Sequence, residues 1–320
     1  MALMISMNNY KKQFVEENFR VMGTDVSVGI VATENFSQEM VRMSIAEVKN
    51  IFAKNEKIFS RFDSESELSK INSHLGEEIK ISQEMCDVLI LCLKFNKISN
   101  GYFDPRVIEN LEKIGYDKDF RSNDLNTEKG KEIVLEKNER ELTQELILDI
   151  EKKTVQTEKR IDTTGIAKGW TVDRAAEFLA GKGYENFIVD AGGDMFAKGL
   201  DVNNEEWRIG IEGLDDDKVM LKLNQEGIAT SGISRKRWQV GEKKFHHLIN
   251  PKDPENFSYD IKTVTVIDDS TVEADGRAKV LVIMGKEKGL QFAEENNIKA
   301  LFLDYRGNVY LSKAIKKHLI

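Results

Sequence analysis

The chain has 320 residues, 40% of them apolar, enough to bury a sizeable core in one large domain or two packed lobes. A formal net charge of −8 argues against a general nucleic-acid binder, because a phosphate backbone rewards a basic face. Two cysteines, Cys86 and Cys92, argue against a disulfide framework, and no apolar run reaches the ~20 residues needed to cross a bilayer.

Residues 1–17 read as an N-terminal extension. The stretch from Met1 to Lys12 lacks the basic-then-apolar order of a signal peptide and has no cysteine to carry a lipid, so the expected compartment is the cytoplasm. From Asn18 to Ala32 the residues Phe19, Val21, Val26, Val28 and Ile30 alternate as in a strand, with Met22-Gly-Thr-Asp25 interrupting it as a bulge or close backbone approach. A helical period runs over 37–58 through Met40, Met43, Ile45, Val48, Ile51 and Phe52. Ser66 is a candidate N-cap for a helix starting at Glu67. Residues 82–99 form a further amphipathic helix, on which both cysteines pack as small hydrophobes, and Asn100-Gly101 stops it.

Residues 117–160 are dense in charge and read as a surface excursion, with a strand, a polar turn and a strand starting at Leu146. A helix is expected over 171–182, stopped by Gly181 and Gly183. The remainder alternates strands (187–190, 207–211, 219–223, 262–267, 299–303, 308–311) with helices between Asp275 and Met284 and near 286–296. This order predicts α+β with mixed or antiparallel sheets rather than a regular βαβ repeat. The three prolines mark no sharp linker.

The most informative stretch runs from Ile161-Asp-Thr-Thr-Gly-Ile-Ala-Lys-Gly-Trp170 through Asp173 to Val189-Asp-Ala-Gly-Gly-Asp194. Glycines let a backbone approach a ligand closely, and free N–H groups at a helix start favour anionic oxygens. The spacing is neither a Walker loop nor a dinucleotide fingerprint, and a tight strand-to-helix turn is the competing reading. Asp104, Asp162, Asp173, Asp190, Asp194 and Asp275 all lie at or next to glycine or proline turns, where they suit a hard cation or cap helices. Of the four histidines, His246 and His247 are adjacent, so on a strand at most one faces a given site, and zinc-ligand spacing is absent. Ser231 lacks a nucleophile elbow and reads as a turn or ligand contact, and Ser234-Arg-Lys-Arg-Trp238 as a solvated turn or an anion contact.

In order along the chain, Met22-Gly-Thr24, Ser60-Arg-Phe-Asp63, Ser66-Glu-Leu-Ser-Lys-Ile-Asn72, Gly101-Tyr-Phe-Asp-Pro105, Asp162 to Gly169 with Asp173, Ala191-Gly-Gly-Asp194, Thr230-Ser-Gly232, His246-His-Leu-Ile-Asn-Pro251 and Ala274-Asp275 resemble the ApbE-like family of FAD:protein FMN transferases. The resemblance spans residues 18–320. It implies two interleaved lobes with a flavin cleft between them, and an enzyme that takes FAD, uses Mg2+, and moves FMN to a Ser or Thr hydroxyl of an acceptor flavoprotein with release of AMP. It further implies that Met22, Phe62, Tyr102, Phe103, Asp104, Asp162 and Lys168 contact FAD. His247 would be the base, with a near-neutral pKa, and Gly165 and Asp275 would hold the metal. No nucleic acid and no membrane insertion are expected, and a homodimer is left open.

Two residues depart from the family's pattern. Lys279 stands where a threonine usually completes the metal site, and a charged lysine has no lone pair to give. Asn250 stands where an aspartate is usual. The alternative is therefore a family member that binds FAD but transfers slowly or not at all. On a helix, Asp275 and Lys279 would share a face at i and i+4.

Overall fold

The computed structural model describes residues 12–116, 133–211, 213–214, 219–234, 236–240 and 242–320. In chain order the elements are β1 Gln13–Val21, β2 Thr24–Ala32, α1 Gln38–Phe59, α2 Glu67–Ser73, β3 Ile79–Lys80, α3 Gln83–Ile98, α4 Ile108–Lys113, α5 Leu142–Glu145, β4 Leu146–Asp149 and β5 Thr154–Thr157. There follow α6 Thr164–Gly181, β6 Phe187–Ala191, β7 Asp194–Lys198, β8 Trp207–Gly210, β9 Met220–Leu223, β10 Glu226–Gly232, β11 Arg237–Val240 and β12 Lys243–His246. The chain closes with β13 Thr263–Asp268, α7 Thr271–Met284, α8 Lys286–Glu295, β14 Lys299–Leu303, β15 Val309–Leu311 and a 3₁₀ turn Lys313–His318. No described helix is long and apolar enough to cross a membrane.

The fold is α+β. Eight strands form one sheet in the order β1-β2-β6-β7-β10-β13-β14-β15, every neighbouring pair antiparallel. Both faces of this sheet are covered. Val26, Val28, Ile30, Phe187 and Val189 pack with Val41, Ile45, Val48 and Phe52 of α1 and Val172, Ala175 and Leu179 of α6. Val264, Val266, Ala300 and Phe302 continue that layer under Ala274, Ala278 and Leu281 of α7. The alternate residues Val31, Ala197, Ile228, Ile267 and Leu301 face the other way, against Trp207, Ile209, Leu221, Leu223 and Ile315. The period of two along each strand thus feeds two separate cores. A third core joins α3 to the small sheet β3-β5-β4 and to one side of α6.

The helix starts follow serine chemistry. Ser37, Ser66, Ser82 and Ser270 each accept the backbone N–H three residues on, contacts that contribute about 1 kcal/mol apiece. Asn100 and Gly101 end α3 with φ of +51° and +79°, as the sequence predicts. Cys86 and Cys92 are both free and buried on α3.

Several expectations are corrected. Residues 13–17 are part of β1 rather than of an extension. The Met22-Gly23 interruption is the turn of a hairpin, with both residues at positive φ (+51° and +71°), rather than a bulge in one strand. Ser231 sits inside β10 and is buried. The charged stretch 117–160 is only partly a surface excursion: Leu142, Leu146 and Val155 belong to a core, and 117–132 lie outside the described residues.

The largest correction is that α6 begins at Thr164 and not at 171, so Gly165, Lys168 and Gly169 are helical. A glycine inside a helix costs about 1 kcal/mol relative to alanine. Here it is needed, because a Cβ on Gly169 would lie 2.9 Å from Val272 Cα and 3.0 Å from the Thr271 carbonyl oxygen, both backbone atoms of α7. Gly181, at the other end of the helix, has nothing within 4 Å of its missing Cβ. We therefore expect Gly169→Ala to lower the unfolding free energy by about 1–3 kcal/mol through overpacking. Gly181→Ala should leave it unchanged or raise it by up to about 1 kcal/mol. Urea unfolding of the two variants measures the contrast, and equal effects would contradict the close helix crossing.

Candidate functional site

The turns of the main sheet gather at one end. Gly192 and Gly193, at φ of +63° and +96°, link β6 to β7 beside the β1–β2 hairpin, and a Cβ on Gly192 would lie 2.1 Å from Thr24 Oγ1. At the start of α6, the Thr164 N–H donates to Asp162 Oδ1 at 2.8 Å. One turn in, Lys168 Nζ lies 2.8 Å from Asp194 Oδ2, which stands at the first residue of β7. Burial lowers the Lys168 pKa, but the Asp194 carboxylate, with Asp275 and Asp190 beyond it, outweighs burial and holds the ammonium above its ordinary value.

α7 crosses α6 at Gly169 and is fixed there by Asp173, whose two carboxylate oxygens accept the Thr271 and Val272 N–H groups at 2.7 and 2.9 Å. Burial raises Asp173 to about 6 despite those two bonds. The helix-cap reading therefore holds for Asp173, although the helix it caps is α7 rather than its own. One turn into α7, Asp275 Oδ1 accepts from Lys279 Nζ, while Oδ2 is buried with no hydrogen-bond partner. Burial pushes Asp275 upward, Asp194 adds to the rise, and Lys279 and Lys168 oppose it. The Lys279 stem runs along Gly165, its Cδ and Cε both 3.5 Å from where a Cβ on that glycine would stand. Gly165, Lys168, Asp194, Asp275 and Lys279 are one cluster. Among the described residues, no three His, Cys, Asp or Glu side chains converge to hold a metal ion.

Aromatic rings line a second wall. The Arg61 guanidinium stacks on Phe62 at 4.3 Å and on Tyr116 at 4.7 Å, donates to the Tyr116 carbonyl at 3.1 Å and pairs with Asp162 at 3.4 Å. Phe62 itself is 45% exposed, a flat apolar face turned to solvent. Lys236 Nζ donates to the Tyr116 hydroxyl at 3.3 Å, and Tyr116 in turn meets the ring of His247 edge-on at 6.5 Å.

The two histidines diverge as the strand period requires. His246 packs on Phe257 and Tyr259, with Nε2 donating to the Ser258 carbonyl at 3.1 Å; His247 turns toward Tyr116. The near-neutral pKa expected for His247 is corrected. Burial, then the charge of Lys236, then His246, with a smaller push from Lys279, hold it well below 6.5.

The Tyr102-Phe103-Asp104 turn divides its residues. Phe103 is buried against Phe95, and its ring lies 3.3 Å from where a Cβ on Gly165 would stand, so it lines the cluster. Tyr102 carries Lys252 Nζ over its ring at 5.3 Å. Asp104 faces inward, bound to Arg106 through Nε at 3.0 Å and Nη2 at 2.6 Å, while Arg106 also pairs with Glu145. Met22 anchors its hairpin by donating its N–H to Glu56 at 2.7 Å. Asn250 closes a local turn by accepting the Lys252 N–H at 3.0 Å. Arg61, Tyr116 and Lys236 were not among the predicted site residues. The aromatic flank of Arg61 at Phe62 was the available signal for it, whereas Tyr116 reaches the site only through tertiary packing.

The fold is shared with several solved structures. The flavinyl transferase ApbE of Pseudomonas stutzeri, apo form, superposes with a TM-score of 0.81 over 98% of this chain and 100% of that one, at 23% identity. The flavin transferase ApbE from Vibrio cholerae gives a TM-score of 0.79 over 96% and 99%, at 26% identity. In sequence, a Vibrio cholerae FAD:protein FMN transferase is 32% identical over 76% of this chain and 74% of its own length, and one from Haemophilus influenzae is 27% identical over 98% and 93%. The protein is an enzyme of the transferase class. The ApbE family model matches residues 22–302, and the chain belongs to the ApbE family.

Burial lowers the His246 pKa from 6.5 to about 4, so the folded state holds it neutral while the unfolded chain protonates it. Its stabilisation is complete above pH 6.5 and is lost as the pH falls toward 4, by at most about 3 kcal/mol. Asp173, raised in the fold, contributes with the opposite sign, so the comparison is made between two proteins that both keep it. His246→Gln, whose amide can still donate to Ser258, should lose less stability than the parent between those two pH values. Identical slopes in chemical denaturation would show that His246 is not buried neutral.

Proposed function

We propose that this transferase takes FAD as its substrate and moves FMN to a serine or threonine hydroxyl of an acceptor flavoprotein, releasing AMP. The observation that carries this reading is that one sheet end holds three complementary parts. The start of α6, with Lys168 and Lys279, suits a diphosphate. The exposed Phe62 face, backed by Arg61, suits a planar ring system. The His247 imidazole lies within electrostatic reach of Lys236 and Lys279.

In the reaction, the acceptor hydroxyl oxygen attacks the phosphorus of the FMN half. The bond from that phosphorus to the bridging oxygen breaks, and the bridging oxygen leaves on AMP. The hydroxyl proton passes to His247 and from there to solvent. Positioned base catalysis of this kind contributes about 10²–10⁴-fold. Lys168 neutralises charge on the diphosphate, and Arg61 holds both the Phe62 face and Asp162 in place.

The family resemblance also implies Mg2+ between Gly165 and Asp275. The residues present do not fit a hard divalent cation. One oxygen of Asp275 is taken by the Lys279 ammonium, the Lys279 stem lies along Gly165, and no third carboxylate converges there among the described residues. The reaction is accordingly written without a step through a metal.

An acceptor domain incubated with this protein and FAD should gain the mass of one FMN, with one AMP formed per modified acceptor. His247→Gln should slow the gain by about 10²–10⁴-fold. Its FAD affinity should be unchanged within about threefold, because the role assigned to it is in the chemical step. Because the His247 pKa lies well below 6.5 in the empty site, kcat/KM for FAD, which reports the enzyme before the anion binds, should stay level as the pH is lowered through 6.5. An acid limb with its midpoint near 6.5 would mean that the base is an ordinary, solvated imidazole.

A further inference from the structure

Two lysines and two aspartates meet where α6 crosses α7. Lys168 sits one turn into α6 and pairs with Asp194; Lys279 sits two turns into α7 and pairs with Asp275, one turn before it. The carboxylates are the buried partners, each 2% exposed at the side chain, while the lysines reach toward solvent at 27% and 18%. With every group charged, the two pairs cancel. Asp190, beyond the two pairs, acts on Lys168 as a further negative charge.

We propose that Lys279 is a resident cation for the diphosphate of FAD, standing with Lys168 in the position that a divalent ion would otherwise fill, so that FAD binds here without a metal. The inference rests on FAD being the substrate, as proposed above, and goes beyond it by assigning a charge donor that is part of the chain.

The argument is one of charge and space. A dication entering beside Asp275 would have to strip Lys279 from Oδ1 and then sit next to two ammonium groups, Lys168 and Lys279, with the paired Asp194 and Asp275 and the more distant Asp190 to offset four positive charges. A diphosphate diester brings two negative charges instead, and these meet two ammonium groups already held in place. The helix adds partial positive charge from the same direction, because Lys279 runs along Gly165 in the first turn of α6. A lysine so placed donates hydrogen bonds to phosphate oxygens but cannot ligate a metal. The remaining oxygen of Asp275, buried and without a hydrogen-bond partner, is an acceptor that keeps the ammonium anchored near the carboxylate when its other protons turn to the phosphate.

The test is FAD affinity, followed by quenching of flavin fluorescence and by calorimetry, in EDTA and in magnesium. It uses the whole chain and the variants Lys279→Thr and Lys279→Arg, each checked for folding by thermal unfolding. The parent should bind FAD equally, within about twofold, in the two buffers. Lys279→Thr should bind about tenfold or more weakly in EDTA, as expected for a lost charge-assisted contact, and recover in magnesium. Lys279→Arg should follow the parent. Parent affinity that falls about tenfold or more in EDTA would overturn the proposal, and this arm needs no variant to fold. Unchanged affinity of Lys279→Thr in EDTA would overturn it as well, by reducing Lys279 to a counter-ion for Asp275. Magnesium-dependent binding together with FMN transfer would sink this inference alone, whereas no FAD binding by the parent in either buffer would remove the substrate reading and this inference together.

Discussion

The close crossing of α6 over α7 is the constraint on which the rest of the site depends. Gly169 lets the two backbones approach to a distance that no side chain permits, and Asp173 then locks the crossing by capping the first two N–H groups of α7. The buried carboxylate pays for its desolvation in a raised pKa, near 6, which measures how strongly the surroundings resist a charge there. That resistance is overcome because two backbone donors of a helix start have no other use. Without the crossing, Lys168 and Asp275 would belong to separate helices over separate cores. With it, they fall within reach of one ligand, and Gly165 comes to lie against the stem of Lys279.

The sheet supplies the second ingredient. Because every neighbouring pair is antiparallel, hairpin turns recur at the same end, and the Met22-Gly23 and Gly192-Gly193 turns arrive there together. Asp194 begins β7 immediately after one of these turns, so its position is fixed by backbone pairing on one side and by Lys168 on the other. A carboxylate that is 2% exposed would be expensive alone; paired and set at a strand start it becomes a rigid reference for the ammonium. The aromatic wall differs in kind. Arg61 there contacts two rings that meet edge-on, and its planar cation packs on Phe62 while bonding the backbone of Tyr116.

How much of this was legible in the sequence depended on whether the cause was local. Helices α1, α3 and α8 were readable because their apolar residues repeat on one face and serine or glycine marks an end of α1 and α3. The Asp162–Gly169 and Asp190–Asp194 stretches stood out because glycine clusters announce an unusual backbone. Their geometry did not, since glycines at 165 and 169 suggest a turn by local rules but lie inside a helix, where Phe103 and α7 occupy the space a Cβ would need. Strand β10 was missed for a similar reason: Gly227 is small because its Cβ would lie 2.2 Å from the Thr271 amide nitrogen, so the strand lacks the alternation that advertises one. The i, i+4 pairing of Lys279 with Asp275 could be read from helical spacing alone. Lys236 stood within the Ser234–Trp238 stretch read as a solvated turn or an anion contact, but its contact with Tyr116, like the role of Tyr116 itself, arises from elements distant in sequence meeting across the site.

The electrostatics of His247 tie these parts together. Its ring is depressed in basicity by burial first and then by Lys236, His246 and Lys279. Two of those three neighbours are lysines, and one of them, Lys279, belongs to the cluster proposed for the diphosphate. Any anion bound by these lysines cancels part of the charge that weakens the imidazole, so the ring must hold a proton more tightly with the anion present than without it. In the proposed reaction, a base that is weak in the empty site and stronger in the filled one would take a proton more readily once the phosphorus to be attacked is in place. This coupling needs no moving element. It follows from placing Lys236, Lys279 and the His247 imidazole within one another's field.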